Sequence, residues 1–276
     1  MRVGFVGLGN IGKPMALRLA QAEGIELQVD DFDPAPVQEL VAAGATAMPV
    51  AEMDVDVLSV MVRDDDQVRD VAKRARPGTL LLVHSTVAPG TPGELAASGH
   101  RVLDAPVSGG AMGAADGSLA LMVGGDEDAF AAAAPVLDAL GSKVVHAGPI
   151  GAGTRFKLAR NMMHFIAFTA ATEAQRLAEA AGLSLKDLGD VVRHTDAITG
   201  GPGAIMHRET TAPLAEDDFW FGVFTNVTSL GEKDLGFAIG LADELGVDVP
   251  LARLAVDRLG PGLGVPTGST TGRGEQ

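Results

Sequence analysis

Apolar and polar positions alternate in blocks along the first 150 residues. Short, β-branched apolar runs recur there, and they are separated by stretches rich in alanine and leucine that are long enough for helices. Strands as apolar as these are typical of a parallel sheet covered by helices on both faces, so we predict a doubly wound α/β domain over residues 1–152. The predicted strands are Arg2–Val6, Glu26–Asp31, Val57–Val62, Leu80–Val83, Arg101–Leu103, Leu119–Val123 and Lys143–His146. The predicted helices are Ile11–Ala22, Pro36–Ala43, Gln67–Ala75 and Ala129–Leu140.

The pattern changes after the glycine-rich residues 148–153. From Thr154 to Ala181 the chain has no Pro or Gly, and Gly182 follows, which predicts a helix of roughly 28 residues. The first half of this helix is apolar on nearly every side and is expected to be buried. No strand is predicted beyond it, and the shorter helices are predicted at Ser184–His194, Ser229–Leu245 and Pro250–Leu259. We therefore predict that the long helix joins the α/β domain to an all-α domain over residues 153–260, followed by a flexible tail over 261–276.

A G-x-G-x-x-G pattern at residues 7–12 lies between the first predicted strand and the first predicted helix. Asp31 ends the next strand, 19 positions after Gly12. Dinucleotide binding requires this context: Gly7 makes a tight turn, Gly9 lets the backbone approach a pyrophosphate, and Gly12 allows close packing of the helix. The candidate contacts are Gly7, Leu8, Gly9, Asn10, Ile11, Gly12 and Asp31.

The pattern also predicts which nucleotide is favoured. A pyrophosphate would lie at the N-terminus of the first helix, where unpaired N–H groups favour anions. The Asp31 carboxylate would accept hydrogen bonds from ribose hydroxyls and repel a 2′-phosphate, which favours NAD over NADP. Proteins that bind FAD or S-adenosylmethionine share the pattern, so the rest of the chain has to decide between these ligands.

The composition narrows the remaining chemistry. The chain has no Cys, which excludes thiolate metal sites and Cys nucleophiles, and no Tyr, which excludes a phenol as the catalytic acid. The six His show no metal-ligand spacing, so we expect no metal. A net charge of −15 without a basic run makes nucleic-acid binding a poor interpretation. The sequence shows no signal peptide or membrane-spanning run, and we expect a cytoplasmic protein without membrane partners.

Two groups of polar or small residues are candidates for the chemistry. Lys157, Asn161 and His164 stand at positions i, i+4 and i+7 of the long, otherwise apolar helix. Burying an amine and an amide without partners is costly, which favours a functional role for the first two; a lysine extending to water is the alternative. His164 is interpreted as structural. The second group follows the strand Arg101–Leu103 and consists of Ser108, Gly109 and Gly110. Consecutive N–H groups of this segment could converge on an anion, and a simple glycine turn without a ligand is the alternative.

Five motifs together resemble the β-hydroxyacid dehydrogenase family, which includes 3-hydroxyisobutyrate dehydrogenase and tartronate semialdehyde reductase. They are residues 7–12, Ser85–Pro89, Asp104–Gly110, Gly151–Asn161 and Lys233–Leu235. The resemblance extends from residue 1 to about residue 260 and implies a Rossmann domain followed by a helical domain like that of 6-phosphogluconate dehydrogenase. It implies that Lys157 is catalytic, that Asn161 helps to hold the substrate, that Ser108, Gly109 and Gly110 bind its carboxylate, and that Thr86 and Lys233 contact the cofactor.

The resemblance further implies an NAD-dependent dehydrogenase that interconverts a small 3-hydroxy acid and its semialdehyde, and a homodimer or homotetramer paired through the helical domain. Three departures qualify it. Arg160 stands where many members have asparagine, residues 217–232 do not match the family spacing, and Arg63 follows Val62 where the family often has proline. We count Val62 and Arg63 among the candidate cofactor contacts, and NADP remains possible. An NADP-linked reductase of a related semialdehyde or imine and a catalytically silent scaffold are the alternative functions.

Overall fold

The computed structural model describes residues 1–266, which divide into a sheet unit, Met1–Met162, and a helical unit that begins at Met163. The sheet unit contains the strands β1 (Arg2–Val6), β2 (Glu26–Asp30), β3 (Thr46–Ala47), β4 (Val57–Val60), β5 (Leu80–Val83), β6 (Arg101–Asp104), β7 (Val107–Ser108), β8 (Leu119–Gly124) and β9 (Gly141–Gly148). Its helices are α1 (Gly12–Gln21), α2 (Pro34–Ala42), α3 (Asp65–Arg74), α4 (Thr91–Ala97), α5 (Gly110–Asp116) and α6 (Glu127–Leu140). The predicted Rossmann architecture is confirmed, and the division at residue 152 stays a prediction.

The nine strands within residues 1–266 form one sheet in the order β3-β2-β1-β4-β5-β6-β8-β7, with β9 paired to β8. The strands from β1 to β6 run parallel, as predicted. The parallel prediction is wrong for β8, which runs antiparallel to both β6 and β7. After β7, the helix α5 turns the chain back, so β8 lies beside β6 and β7 and runs in the opposite direction.

Helices cover both faces of this sheet because successive strand residues point to opposite sides. On β5, Leu80 and Leu82 belong to one buried apolar cluster, whereas Leu81 and Val83 belong to the other. The pattern of continuous apolar strands in the sequence follows directly from this two-sided burial.

The helical unit continues from α7 (Ala152–Ala180), which begins in the sheet unit, through α8 (Leu185–Thr199), α9 (Phe219–Leu245) and α10 (Pro250–Leu263). Ser184 caps α8 by accepting the Asp187 N–H. The buried carboxylate of Glu173 on α7 accepts the N–H groups of Leu251 and Ala252 at 2.8 and 3.1 Å, and it thereby caps α10 from another helix.

Three predictions about the helices need correction. The α9 helix begins ten residues before the predicted Ser229, because Asp218 caps it by accepting the Trp220 N–H at 2.7 Å. The α10 helix continues to Leu263, so residues 261–263 are helical, and residues 267–276 of the predicted tail lie outside the described residues. The third correction concerns the first half of α7, whose burial was predicted. Its large apolar side chains are mostly exposed on the chain, namely Phe156, Leu158, Met162, Phe165, Ile166 and Phe168.

No helix in residues 1–266 is long and apolar enough to cross a membrane.

Candidate active site

A cavity of about 500 Å³ lies at the carboxyl ends of β1, β2 and β4. In doubly wound folds this edge of the sheet is where ligands bind. The lining includes six of the predicted cofactor contacts, namely Gly7, Leu8, Gly9, Asp31, Val62 and Arg63. The cavity is therefore bordered by the glycine loop, by the ends of β2 and β4, and by residues of α3.

The three glycines of the loop have three different surroundings. Gly7 has a φ of +92°, and a Cβ there would overlap the carbonyl oxygen of Met61. A Cβ at Gly12 would overlap the carbonyl oxygen of Gly7, so this glycine lets α1 pack closely against the turn. A Cβ at Gly9 would meet no atom within 4 Å, so a ligand can approach the loop backbone there.

Asp31 is fixed at the edge of the cavity by the backbone. Its Oδ2 accepts the Leu8 N–H at 2.5 Å, and its Oδ1 accepts the Asp33 N–H at 2.8 Å. The carboxylate therefore faces the glycine loop with lone pairs remaining for further donors. The neighbouring Phe32 lines the same cavity with 95% of its side chain exposed.

The residues after β4 complete this edge. The Val62 N–H donates to Ser85 Oγ at 2.9 Å, and the Ser85 hydroxyl donates back to the Val62 carbonyl at 2.7 Å. The buried Ser85 thus holds the end of β4 against the end of β5, a role that no sequence signal indicated. Arg63 extends into solvent and pairs with Asp64, its Nε donating to Oδ2 at 3.0 Å.

Five predicted cofactor residues lie outside the lining of this cavity. Asn10 and Ile11 complete the loop before α1, where Gly12 packs under the turn, and Thr86 is exposed after β5. Lys233 belongs to α9 in the helical unit, where its Nζ pairs with Asp234 at 3.2 Å.

The cavity fits a dinucleotide. The open backbone at Gly9 and the start of α1 offer N–H groups to a pyrophosphate, and the Asp31 carboxylate is placed where it can accept from ribose hydroxyls. Within residues 1–266, no group of three His, Cys, Asp or Glu side chains could hold a metal ion.

The second group of candidates lies around β7. Ser108 ends this strand, and Gly109 and Gly110 follow with φ values of +135° and +64° at the start of α5. Residues with side chains rarely adopt this conformation, so the glycines permit a turn that exposes consecutive backbone groups.

The amine of Lys157 is bound to the same segment. Lys157 is buried on α7, and its Nζ donates to the carbonyl oxygen of Val107 at 2.5 Å, one residue before Ser108. Burial is the main cause that lowers the pKa of this amine, and the positive charge of Arg160 lowers it further. The structure therefore brings Lys157 and the Ser108 loop together, as the two motifs would need for a shared site.

Asn161 follows one turn later on α7. Its Oδ1 accepts an N–H from the Arg160 guanidinium at 3.3 Å, and both residues are half-buried. His164, the third polar residue of this stripe, packs its ring against Phe168 with centroids 4.2 Å apart.

Asp104 begins one of the five motifs, and the sequence alone assigns it no specific role. It is fully buried at the end of β6, and its carboxylate accepts the Gly151 N–H at 2.7 Å and the Thr154 N–H at 2.6 Å. Burial raises its pKa. The carboxylate binds the N-terminus of α7, and this contact fixes the helix that carries Lys157 against the strand that leads to Ser108.

Comparison with known proteins covers both parts of the chain. Residues 2–148 match the family model for the NAD binding domain of 6-phosphogluconate dehydrogenase. Residues 151–259 match the model for the NAD-binding domain of NADP-dependent 3-hydroxyisobutyrate dehydrogenase. An uncharacterized oxidoreductase of Mycobacterium tuberculosis is 48% identical over 96% of this chain and 94% of its own length.

Two solved structures extend the comparison. A putative oxidoreductase from Mycobacterium avium is 47% identical, with a TM-score of 0.92 over 96% of this chain and 99% of that one. The 3-hydroxyisobutyrate dehydrogenase of Mycobacterium tuberculosis, solved with L-serine, is 34% identical, with a TM-score of 0.63 over 94% of this chain and 92% of that one. These similarities cover nearly the whole chain.

Proposed function

The chain belongs to the β-hydroxyacid dehydrogenase family of NAD(P)-dependent oxidoreductases, and from that premise we propose that it interconverts a small 3-hydroxy acid and its semialdehyde, with NAD as the preferred cofactor. The observation that carries the proposal is the buried amine of Lys157, held beside the Ser108 loop by the Val107 carbonyl. A buried amine with a lowered pKa beside a possible anion site is suited to acid–base work on a hydroxyl group.

The sheet unit would hold the cofactor. NAD supplies a hydride acceptor for the substrate carbon when it is bound. The loop from Gly7 to Gly12 would bind the pyrophosphate, and Asp31 would bind the ribose hydroxyls. Val62, Arg63, Thr86 and Lys233 are proposed as further contacts.

Lys157 would move the proton. In the oxidation direction its neutral amine takes the hydroxyl proton of the substrate, and in the reduction direction its ammonium form donates that proton. The Val107 carbonyl accepts one N–H of the amine, which leaves the nitrogen lone pair available for the substrate. The lowered pKa increases the fraction of neutral amine near neutral pH, which favours the base form needed for oxidation.

The substrate would be held by residues on either side of Lys157. The Ser108 hydroxyl and the backbone groups of Gly109 and Gly110 would bind its carboxylate. Asn161 would orient the reacting hydroxyl, because its Oδ1 accepts from Arg160 and its Nδ2 is then the donor group. Asp104 would support the Ser108 loop and Asn161 by holding the start of α7 against the end of β6.

We also propose that the protein is a homodimer or homotetramer paired through the helical unit. Large apolar side chains on α7 and α8 are exposed on the single chain, and contiguous exposed apolar surface marks an interaction site. A second copy is the proposed occupant because the resemblance implies pairing through this unit.

The test is a turnover assay with a panel of 3-hydroxy acids, run with NAD and with NADP. Lys157→Met keeps the apolar stem and removes the titrating amine, so kcat should fall at least about a hundredfold while NAD affinity changes less than about threefold. Lys143→Met is the matched control, because Lys143 is exposed on β9, and it should retain kcat.

Other results would favour the alternatives. NAD binding without turnover of any acid would indicate a silent scaffold. Reduction of imines in preference to semialdehydes would indicate the related reductase, and a Lys157→Met variant with most of its kcat would remove the lysine from the chemistry. Loss of NAD binding together with activity would indicate a structural role for Lys157.

A further inference from the structure

Arg160 is a half-buried cation on α7 that pairs with no carboxylate among residues 1–266. One guanidinium nitrogen donates to the neutral Asn161 Oδ1 at 3.3 Å. Within residues 1–266, none of the ion pairs involves Arg160, so no carboxylate there compensates its charge. A partly desolvated charge that lacks a partner is costly, so its presence needs an anion from outside the chain or a functional reason.

Arg160 also belongs to the proposed substrate site. Lys157, Arg160 and Asn161 stand at positions i, i+3 and i+4 of α7, which places them on one side of the helix. The charge of Arg160 lowers the pKa of Lys157, so the guanidinium is within electrostatic range of the buried amine. Its hydrogen bond to Asn161 joins it to the residue proposed to orient the substrate.

The charges in the site suggest what this cation recognises. The Ser108 loop offers only neutral donors for the first carboxylate of a substrate, and Lys157 is neutral when it acts as a base. Arg160 is then the permanent positive charge, because a guanidinium does not lose its proton in proteins. A second anionic group on the substrate would provide the missing partner, and an ammonium group would be repelled.

We propose that Arg160 is a specificity-determining residue that favours a 3-hydroxy acid with a second anionic group on C2 and disfavours one with an ammonium group there. The proposal rests on the proposed dehydrogenase function. It predicts that the chain discriminates against L-serine, the compound with which the Mycobacterium tuberculosis relative was solved.

Two pairs of substrates of matched size test the charge alone. The first pair is 2-(hydroxymethyl)succinate and its distal monoamide, which differ in one negative charge. The second pair is L-serine and 3-hydroxyisobutyrate, which differ in an ammonium or a methyl group on C2. Because a hydrogen bond between two charged groups is stronger than one to a neutral amide, kcat/KM should favour the diacid over its amide by at least about tenfold. It should favour 3-hydroxyisobutyrate over L-serine by a similar factor.

Arg160→Asn should move both ratios toward one by about tenfold, because it removes the charge and keeps a polar side chain. Each ratio compares kcat/KM for two substrates of the same protein, so any effect of the substitution on Lys157 that is equal for both substrates cancels. Arg160→Lys should keep both preferences, and Arg160→Gln provides a second neutral variant if the asparagine does not fold. Arg155→Asn removes an exposed charge on the opposite side of α7 and should leave both ratios unchanged.

The outcomes separate this proposal from the one on which it rests. Turnover with unchanged ratios in both neutral variants would overturn the role of Arg160 and leave the dehydrogenase function in place. A strong preference for L-serine by the unmodified protein would also overturn it. Absence of turnover with all four compounds, with either cofactor, would overturn both proposals.

Discussion

The sheet unit and the helical unit differ in where they hold their large apolar side chains. In the part of the chain that the structure describes, the largest fully buried side chains lie in the sheet unit, from Phe5 on β1 to Leu121 on β8. In the helical unit, α8 has no buried residue, and the buried cluster consists of Phe224, Leu263 and Val265. On α7, Phe165 and Phe168 are 60% and 57% exposed.

The sheet unit buries its apolar side chains within one copy of the chain, whereas the helical unit leaves apolar surface exposed that a second molecule could cover. The sheet unit has a hydrophobic core on both faces, and it contains the residues that line the cavity and the hydrogen bond between Lys157 and Val107. The helical unit leaves apolar surface on α7 and α8 that a neighbouring molecule would cover at a gain in free energy. Apart from Lys233, the proposed cofactor contacts therefore lie in the sheet unit, whereas the proposed assembly depends on the helical unit.

Acid should destabilise the sheet unit selectively through His84. This side chain is buried between the Ala105 carbonyl and Ser59 Oγ, and burial lowers its pKa to about 4 from 6.5. In the unfolded chain His84 binds a proton below about pH 6.5, whereas in the folded chain it binds this proton only below about pH 4. The free energy of unfolding should therefore fall by about 3 kcal/mol as the pH falls through this window.

Urea unfolding between pH 4 and 7 measures this loss, with His84→Gln removing the His84 contribution and His194→Gln, an exposed site on α8, as the control. The single Trp220 lies in the helical unit, so its fluorescence follows that unit separately from circular dichroism. The same pH dependence in unmodified protein and His84→Gln would contradict the prediction. An equal shift of the Trp220 transition would show that the two cores unfold together.

Charged substitutions on α7 should weaken self-association. Phe165→Asp with Phe168→Asp would place two carboxylates in the proposed interface, and the dissociation constant should rise at least about a hundredfold, or roughly 2.7 kcal/mol. Sedimentation at a series of protein concentrations measures the change.

Met112→Asp is the matched control for α7, because Met112 is an exposed apolar residue on α5 of the sheet unit. It should leave the association unchanged. An unmodified chain that is monomeric at micromolar concentration, or a double variant that associates normally, would contradict the proposed pairing surface.

Cofactor choice is the smallest effect and should depend on the sheet unit alone. With Asp31 beside the glycine loop, kcat/KM should favour NAD over NADP by at least about tenfold, or roughly 1.4 kcal/mol, and Asp31→Ser should narrow the gap. Glu26→Ser is the control, because Glu26 is exposed at the start of β2, the strand that Asp31 follows. Equal or better use of NADP by the unmodified protein would contradict this prediction and direct attention to Arg63.

Much of the sheet unit could be predicted because each local signal agrees with the fold. The apolar strands, the glycine pattern and Asp31 all depend on short segments whose periodicity is visible in the sequence. The short elements escaped prediction: β7 has only two residues, and α5 begins with glycine at Gly110. The start of α9 was missed because aromatic and β-branched residues at 219–228 do not favour a helix by themselves.

Contacts between distant segments were beyond the reach of sequence patterns. The bonds of Asp104 to the start of α7 join residues about fifty positions apart, and no periodicity indicates them. The apolar α7 was predicted to be buried because hydrophobicity shows that a surface needs covering, but it does not show which molecule covers it. Arg160 was recognised as a departure from the family, yet only the structure shows that no carboxylate within residues 1–266 pairs with it.

The pH dependence of kcat/KM for oxidation tests the central claim, that Lys157 acts as a neutral amine. The unmodified enzyme should show a rate that increases with pH as the amine deprotonates, with a midpoint below that of an ordinary lysine because burial lowers its pKa. Arg160→Asn should move this midpoint upward, since it removes the cation that lowers the pKa further. This increase of kcat/KM with pH should be absent from the residual activity of Lys157→Met. If kcat/KM of Lys157→Met increased with pH as in the unmodified enzyme, this result would contradict the role of Lys157 as the base.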